Sequence, residues 1–288
     1  MKNILITGCS SGFGKLAAEK FSADGHTVFA TMRNTTSKNK AAAEELSALP
    51  NIHVVEMDVS SEESVNNAAK SILAIATPDV VINNAGQMFV GVTEAFTPED
   101  LTRQLDVNVV GVHRVTRAFL PAMREAGSGL FINVSSVAGR FGLPFFGVYH
   151  ASKWALEGYT LGLRNELAQC GIDFTVVEPG PFATELFGQS PQPSDQDRIN
   201  SYPEIIPQTL VGMTKNFEDI FANSEAPTDP AIVVEVFQNL VNLAPGTRPF
   251  RTTAGLDFGV ADRNKSDMEH DAKLVEAMGM VEFTTLKN

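Results

Sequence analysis

The chain has 288 residues, 43% of them hydrophobic, ample for one large α/β domain with a buried core. Asp and Glu outnumber Lys and Arg 34 to 22, and the formal charge of −12 would repel a phosphate backbone and an anionic membrane surface alike, which argues against nucleic-acid and membrane binding. Only two cysteines occur, Cys9 and Cys170; Cys9 lies inside a Gly-rich turn where a crosslink would obstruct a ligand, so both are expected reduced and the protein cytoplasmic.

The first strand is predicted at residues 4–7, with no charged-then-apolar leader before it, so no secretion signal is expected. Further β-branched runs at 27–31, 53–57, 80–82, 130–134 and 174–177 predict five more strands. Between them, residues 14–23, 38–49, 62–76, 98–126 and 149–170 carry apolar side chains at three- and four-residue intervals, the spacing of helices packed on one face. Gly25 and Gly171 stand where a helix would end, and Ser60 is read as an N-cap ahead of Glu62 and Glu63. Continuous rather than alternating strand runs fit parallel strands covered on both faces. The fold class is therefore α/β, a doubly wound three-layer sandwich around a central parallel sheet. No uncharged apolar run approaches the ~18–20 residues of a membrane-spanning helix, so a soluble chain is expected.

Beyond Pro179, residues 188–194 form a polar, proline-bearing stretch among phenylalanines, a pattern that suits a mobile lid, taken as 182–224. A helix at 229–243, a short last strand at 248–252 and a polar, partly helical stretch at 262–279 follow, the last within a C-terminal tail of 253–288. No repeat and no second domain are visible, and 1–288 is read as a single domain.

Thr7-Gly8-Cys9-Ser10-Ser11-Gly12-Phe13-Gly14 follows the first strand and leads into a helix, the arrangement that aims backbone N–H groups at a pyrophosphate. Gly8 permits the tight turn, Gly12 lets a ligand approach the backbone, and Gly14 lets the helix pack closely on the strand. Downstream stand Asn83-Asn84-Ala85-Gly86 after the fourth strand, Asn108 inside a helix, Ser136, Tyr149-x-x-x-Lys153, and Pro179-Gly180 after the sixth strand. In this order and spacing the chain resembles the short-chain dehydrogenase/reductase family over roughly its first 185 residues. The resemblance implies a Rossmann-type fold and hydride transfer between a nicotinamide cofactor and a carbonyl or secondary alcohol.

In that family an acidic residue at the end of the second strand would hydrogen-bond the ribose hydroxyls and repel a 2′-phosphate. Here the strand ends in Thr31-Met32-Arg33. Arg33 offers a fork of donors and Ser10 or Ser11 another hydrogen bond, so NADP is expected over NAD, the alternative being that Arg33 is a solvated surface charge. By resemblance Asp58 receives the adenine amino group and Val59 lines the ring, while Asp58 serves equally as a turn-forming cap. Asn84, Ala85 and Gly86 would pass beneath the adenosine ribose, with the asparagines also bracing the sheet. By the same resemblance Pro179 and Gly180 bind the cofactor, and Thr184 matches the threonine that contacts the nicotinamide carboxamide; its other reading is a helix N-cap.

Tyr149 and Lys153 lie four apart on one helix face, so the ammonium can approach the phenol. A phenol must fall from ~10 to near neutrality, about 4 kcal/mol, to act as a base at neutral pH. An ammonium at ~5 Å in an effective dielectric of ~20 supplies about 3 kcal/mol, and an oxidised nicotinamide adds to it. The resemblance implies that Tyr149 is the acid/base, that Lys153 also holds the nicotinamide ribose, and that Ser136, thirteen residues before Tyr149, hydrogen-bonds the substrate oxygen. Ser135 is the weaker candidate. Asn108 matches the asparagine that fixes a water linking Lys153 to solvent. His150, beside Tyr149, is read as structural because adjacent helix positions point different ways. No cluster has metal-ligand spacing and no metal is expected.

Phe141, Phe145 and Phe146 lead into Tyr149, and Met88, Phe89, Phe182 and Phe187 belong to segments that border the cleft in this family, which is similar here to its hydroxysteroid- and retinol-dehydrogenase-like members. Apolar walls favour a bulky small-molecule ketone, aldehyde or secondary alcohol; the aromatic residues serve equally as lid core. A nucleotide-binding redox sensor without turnover is the alternative, against which the intact Ser136, Tyr149 and Lys153 speak. An epimerase or dehydratase on the larger related scaffold lacks its separate substrate domain here. Two long helices, 98–126 and 149–170, pair between subunits in this family, so a homodimer or homotetramer is expected, with the tail either covering that surface or extending the pocket.

Overall fold

A computed structural model of the chain describes residues 1–188 and 190–287; Gln189, Asn288 and the side chain of Phe187, which the sequence placed near the cleft, lie outside the described residues. In chain order β1 (Asn3–Thr7) leads to α1 (Gly12–Ala23), β2 (Thr27–Met32) to α2 (Lys40–Ser47), β3 (Ile52–Glu56) to α3 (Glu62–Leu73), and β4 (Val80–Asn83) to α4 (Pro98–Leu105) and α5 (Gly111–Ala126). After β5 (Gly129–Val134), α6 (Gly147–Leu167) and β6 (Ile172–Pro179) come α7 (Glu185–Gly188), α8 (Gln196–Asn200), α9 (Ile205–Ala222) and α10 (Ala231–Asn242), then β7 (Arg251–Ala254), α11 (Val260–Ala277) and α12 (Val281–Thr284).

Among the described residues the seven strands are all parallel, in the order β3-β2-β1-β4-β5-β6-β7, the Rossmann-type architecture expected. Leu5 pairs with Phe29 on one side and Val81 on the other, so β1 is central. Successive side chains of a strand point to opposite faces. Ile4 and Ile6 accordingly pack with Ala17, Phe21, Val233 and Phe237 of α1 and α10, while Leu5 packs with Val65, Ile72, Phe119 and Met123 of α3 and α5. Both faces of the sheet are thus buried, which is why its strands read as unbroken apolar runs. Strand order reverses between β1 and β4, and the crevice above such a reversal, outside the carboxyl ends of the strands, is where open α/β sheets bind ligands.

Several boundaries differ from expectation for identifiable reasons. The helix predicted at 98–126 is continuous but carries a π-type turn at Asp106–Val110, with Asn108 buried in it. The N-cap of α3 is Ser61, whose side chain accepts from Ser64 N–H; Ser60 is instead held by Asp58, which accepts from its N–H at 2.9 Å and its hydroxyl at 2.6 Å. The last strand starts at Arg251 rather than 248, because Arg248 turns to Leu240 O, Leu243 O and Asp173 instead of joining the ladder. Residues 182–224, read as a lid, contain α8 and α9. The apolar spacing of Ile206, Leu210, Met213 and Phe217 is helical, and Pro207 falls in the first turn, where its missing N–H would have had no partner. This segment is tied down by Val90 N–H to Pro191 O at 3.3 Å, Asp195 N–H to Ala95 O at 3.2 Å and the Ser194 hydroxyl to Asp100 at 2.8 Å. The tail follows two courses. Phe258 reaches the cleft, whereas α12 is strapped beside the end of α6 by Gln169 Nε2, which donates to Glu282 O at 2.7 Å. Among the described residues no helix is long and apolar enough to cross a membrane.

Candidate active site

A cavity of about 860 Å³ opens at the carboxyl ends of the strands. Gly8, Ser10, Ser11, Gly12 and Phe13 line it where β1 turns into α1. Gly14 does not, because it serves packing: a Cβ there would lie 2.4 Å from Gly8 O. Gly8 has φ of +74°, and a Cβ on it would meet Ala85 Cα at 2.9 Å, so the two turns that build the cleft floor interlock. Thr7 fastens them, its Oγ1 accepting from Asn84 N–H and Ala85 N–H, each at 3.0 Å, while Asn84 Nδ2 donates to Thr7 O at 2.9 Å. Ser11 stands at the N-cap of α1 without using its side chain, and the uncapped first turn, open above Gly12, suits a pyrophosphate. Thr184 leans over the same turn, its Cγ2 3.9 Å from where a Gly12 Cβ would be.

At the end of β2 the lining is Met32, Arg33, Lys38 and Asn39, with Arg33 and Lys38 exposed. Asn39 fixes this loop by donating to Arg33 O at 2.6 Å. The nearby carboxylate, Glu56, accepts from the Thr35 hydroxyl at 2.6 Å and is not part of the lining. Asp58 and Val59 border the cavity at the end of β3, and Asp58 is at the same time the turn-former for Ser60. Asn84, Ala85, Gly86, Pro179 and Gly180 line the floor.

At the centre, Ser136, Tyr149 and Lys153 meet. The Ser136 hydroxyl accepts from Ala138 N–H at 3.1 Å, donates to Pro179 O at 3.3 Å, and lies in hydrogen-bonding reach of the Tyr149 phenol. Lys153 Nζ donates to Val134 O at 2.9 Å and sits 5.7 Å from the centre of the Tyr149 ring. The expected lowering of the phenol is not produced by protein groups alone. Burial pushes Tyr149 up to about 12 despite the Ser136 hydrogen bond, and burial brings Lys153 down to about 8 despite the charge of Glu157 one turn on. Desolvation of both groups outweighs an attraction acting over that distance.

Asn108 is near this centre but not in the cavity. Its Oδ1 accepts from Gln87 N–H at 2.9 Å and its Nδ2 donates to Gln87 O at 2.9 Å and Ser152 Oγ at 3.0 Å, so the whole amide braces the 84–87 turn against α6. Ser135 is buried and also lines the cavity, with no partner for its hydroxyl among the described residues.

Past Tyr149 the cavity is walled by residues that include Met88, Phe141, Leu143, Phe146, Phe182, Phe217 and Phe258, and His150, read from the sequence as structural, borders it too. Phe89 is not among them. Its ring turns the opposite way from Met88 and packs with Phe96 at 5.7 Å, its N–H held by Gln104 Oε1. Sequence reasoning passed over Lys38, Phe217 and Phe258. Lys38 was findable as a second cation in the loop after β2, but nothing local marks Phe217 or Phe258, which reach the cleft only through the packing of α9 and the tail.

The family model for short chain dehydrogenase matches residues 2–195. The human 17-beta-hydroxysteroid dehydrogenase type 1 is 34% identical over 261 residues, covering 87% of this chain and 77% of that protein. A short-chain dehydrogenase from Streptomyces avermitilis superposes with a TM-score of 0.76 at 32% identity, covering 96% of this chain and all of its own. The 3-ketoacyl-(acyl-carrier-protein) reductase of Brucella melitensis, solved with NADH, does so with a TM-score of 0.71 at 26% identity, covering 88% of this chain and 96% of its own.

Proposed function

The chain belongs to the short-chain dehydrogenase/reductase family and is an oxidoreductase of alcohol and carbonyl groups, and from that premise we propose that it reduces a bulky, apolar carbonyl compound with NADPH, Tyr149 acting as the acid. The observation that carries this reading is the distribution of cations along the cleft. Arg33 and Lys38 stand at the β2 end with no carboxylate in that part of the lining, Lys153 is central, and past Tyr149 the described lining has neither Lys nor Arg. Two cations at the ribose end suit a 2′-phosphate, and an apolar far end suits an uncharged substrate. A substrate carrying phosphate or carboxylate would find no counter-charge there. That a steroid dehydrogenase is among the relatives agrees with this.

The interlocked Gly8 and Ala85 turns, the uncapped start of α1 and the open approach above Gly12 fit a dinucleotide, held further by Asp58, Val59, Gly86, Pro179, Gly180 and Thr184. When bound, the nicotinamide supplies the hydride. Tyr149, kept protonated at neutral pH by burial, gives its proton to the substrate oxygen, and Ser136 hydrogen-bonds that oxygen as charge develops. Lys153 is charged at neutral pH and favours the tyrosinate left behind. Asn108 is a positioning residue in this scheme, since its side chain is committed to Gln87 and Ser152. We further read 1–288 as one domain, 182–224 as its lid and the assembly as a cytoplasmic homodimer or homotetramer paired through α4, α5 and α6.

The test is a titration with NADPH and NADH followed by nicotinamide fluorescence, then a panel of carbonyl compounds. Two charge-assisted bonds predict NADPH tighter by about tenfold or more, with turnover of bulky uncharged ketones. Preference for NADH would remove the cofactor assignment, turnover only of small charged compounds would remove the substrate class, and binding without turnover would favour a redox sensor.

A further inference from the structure

We propose that His150 determines which carbonyl compounds the enzyme accepts, by pinning the aromatic wall at the substrate end of the cleft; this rests on the function proposed above. His150 follows Tyr149 in the first turn of α6 and is buried with both ring nitrogens engaged. Nδ1 lies 2.7 Å from Ala138 O, which can only accept, so Nδ1 carries the proton. Nε2 is then the acceptor for Leu143 N–H at 2.8 Å. The neutral imidazole thereby joins two points of one loop, and the rings of Phe141 and Phe146 flank it at 6.1 and 6.0 Å.

The lower of those points belongs to the catalytic floor, because Ala138 is the residue whose N–H holds the Ser136 hydroxyl. The upper belongs to the wall, because Phe141 and Leu143 both line the cavity. Among the described residues the bond from Leu143 to His150 is the only hydrogen bond made by residues 141–144, which lie in neither helix nor strand. Phe145, next in line, is held at φ of +72°, a conformation that an L side chain keeps only when its surroundings enforce it. Without the imidazole the wall would keep its apolar contacts, such as Phe141 edge-on to Phe258 at 6.2 Å, but lose its fixed distance from the reacting groups. A bulky carbonyl compound that fills the cavity needs that distance; a small one bound at Ser136 and Tyr149 does not touch the wall.

The substitutions His150→Phe, His150→Asn and His150→Gln separate the two bonds. Phenylalanine keeps a ring and removes both. Asparagine is long enough to reach Ala138 O only, whereas glutamine reaches Leu143 N–H. Wild-type protein is first assayed with NADPH on trans-1-decalone and on butanone; no turnover of decalone overturns the parent reading and this proposal with it. Given turnover, the expected result is a KM for decalone about tenfold higher in the Phe and Asn variants, with kcat, the KM for butanone and the Kd for NADPH within about twofold of wild type, and with Gln restoring the decalone KM, as loss and recovery of one buried hydrogen bond require. Equal losses on both ketones, a fall in kcat without a change in KM, or Asn performing as well as Gln overturns the proposal while leaving the function intact. Should the Phe variant fail to bind NADPH, the contrast between Gln and Asn carries the same test.

Discussion

At the proposed adenosine end of the cleft the lining comes from turns that follow β1, β2, β3 and β4, each delivered to its place by the strand before it; at the proposed carbonyl end Phe141, Phe217 and Phe258 converge from three segments far apart in the chain. The first end is largely backbone, fastened by Thr7, Asn84 and Asn39 through bonds of 2.6 to 3.0 Å. The second is side chains on loops, a lid helix and a tail. Backbone cradles depend on conformation and tolerate little change, so they appear as fixed residue types at fixed spacing. Side-chain walls depend on volume, which many residues can supply from many positions. The contrast explains how one scaffold keeps a cofactor while its substrate end varies.

The proposed acid sits at the boundary between the two ends, and its removal should have the largest effect. Tyr149→Phe is expected to lower kcat by a factor on the order of 10²–10⁴ while leaving the Kd for NADPH nearly unchanged, measured by steady-state kinetics and fluorescence titration. Full turnover in this variant would detach the chemistry from the centre of the cleft. Next in size is the buried link between the tail and the Ser136 turn. Arg140 donates to Asn264 Oδ1 at 2.9 Å and pairs with Asp267, and Asn264 donates to the fully buried Glu178. Arg140→Met should destabilise the fold by about 1–3 kcal/mol in urea unfolding, because it leaves the buried Asn264 Oδ1 without its donor. A loss below about 1 kcal/mol would mean that α11 is an appendage rather than part of the active-site support.

Two smaller effects sharpen the comparison from the cofactor side. Arg33→Ala with Lys38→Ala is expected to weaken NADPH by about ten- to a hundredfold and NADH by less than about threefold, a split that only a 2′-phosphate contact produces. The pH dependence should divide by direction. Carbonyl reduction uses the protonated phenol, held up to about 12, and should stay flat through neutrality. Alcohol oxidation needs the ionised phenol and should rise by up to tenfold per pH unit, then level above about pH 8 as Lys153, brought down to about 8, loses the charge that favours the tyrosinate. Parallel profiles in the two directions would remove Tyr149 from the proton transfer.

Legibility in the sequence divides along the same line. The parallel sheet, the burial of both its faces and the lining at Gly8, Gly12, Asn84 and Gly86 follow from apolar runs and from motif residues in fixed places. Gly14 and Asn108 belong to the recognised pattern yet do not line the cavity, since a motif records what a site needs behind it as well as what touches the ligand. Phe89 was misplaced because neighbouring residues in an extended segment face opposite ways and the sequence alone does not say which way is in. The helix α9 was hidden by Pro207 and Gly212, and Phe258 by a tail with no periodicity to read before its helix.

Phe258 is also where the substrate end can be tested most finely. It is 60% exposed and has φ of +52°, so neither burial nor backbone preference accounts for a phenylalanine there. Its edge-on contact with Phe141 at the cleft does. Such a ring pair contributes about 0.5–1.5 kcal/mol, so Phe258→Gly should lower kcat/KM for a bulky ketone by roughly two- to tenfold. Glycine adopts the same φ without strain, so Tm should hold or rise by a few degrees, and differential scanning calorimetry beside the kinetics would show the two moving in opposite directions. The adenosine end permits no such exchange: at Gly8 a side chain would meet Ala85 Cα at 2.9 Å, and Gly8→Ala should lose stability and NADPH together. A Phe258→Gly variant that lost both would make the carbonyl end as rigidly specified as the cofactor end, and the division between a fixed half and a variable half would fall.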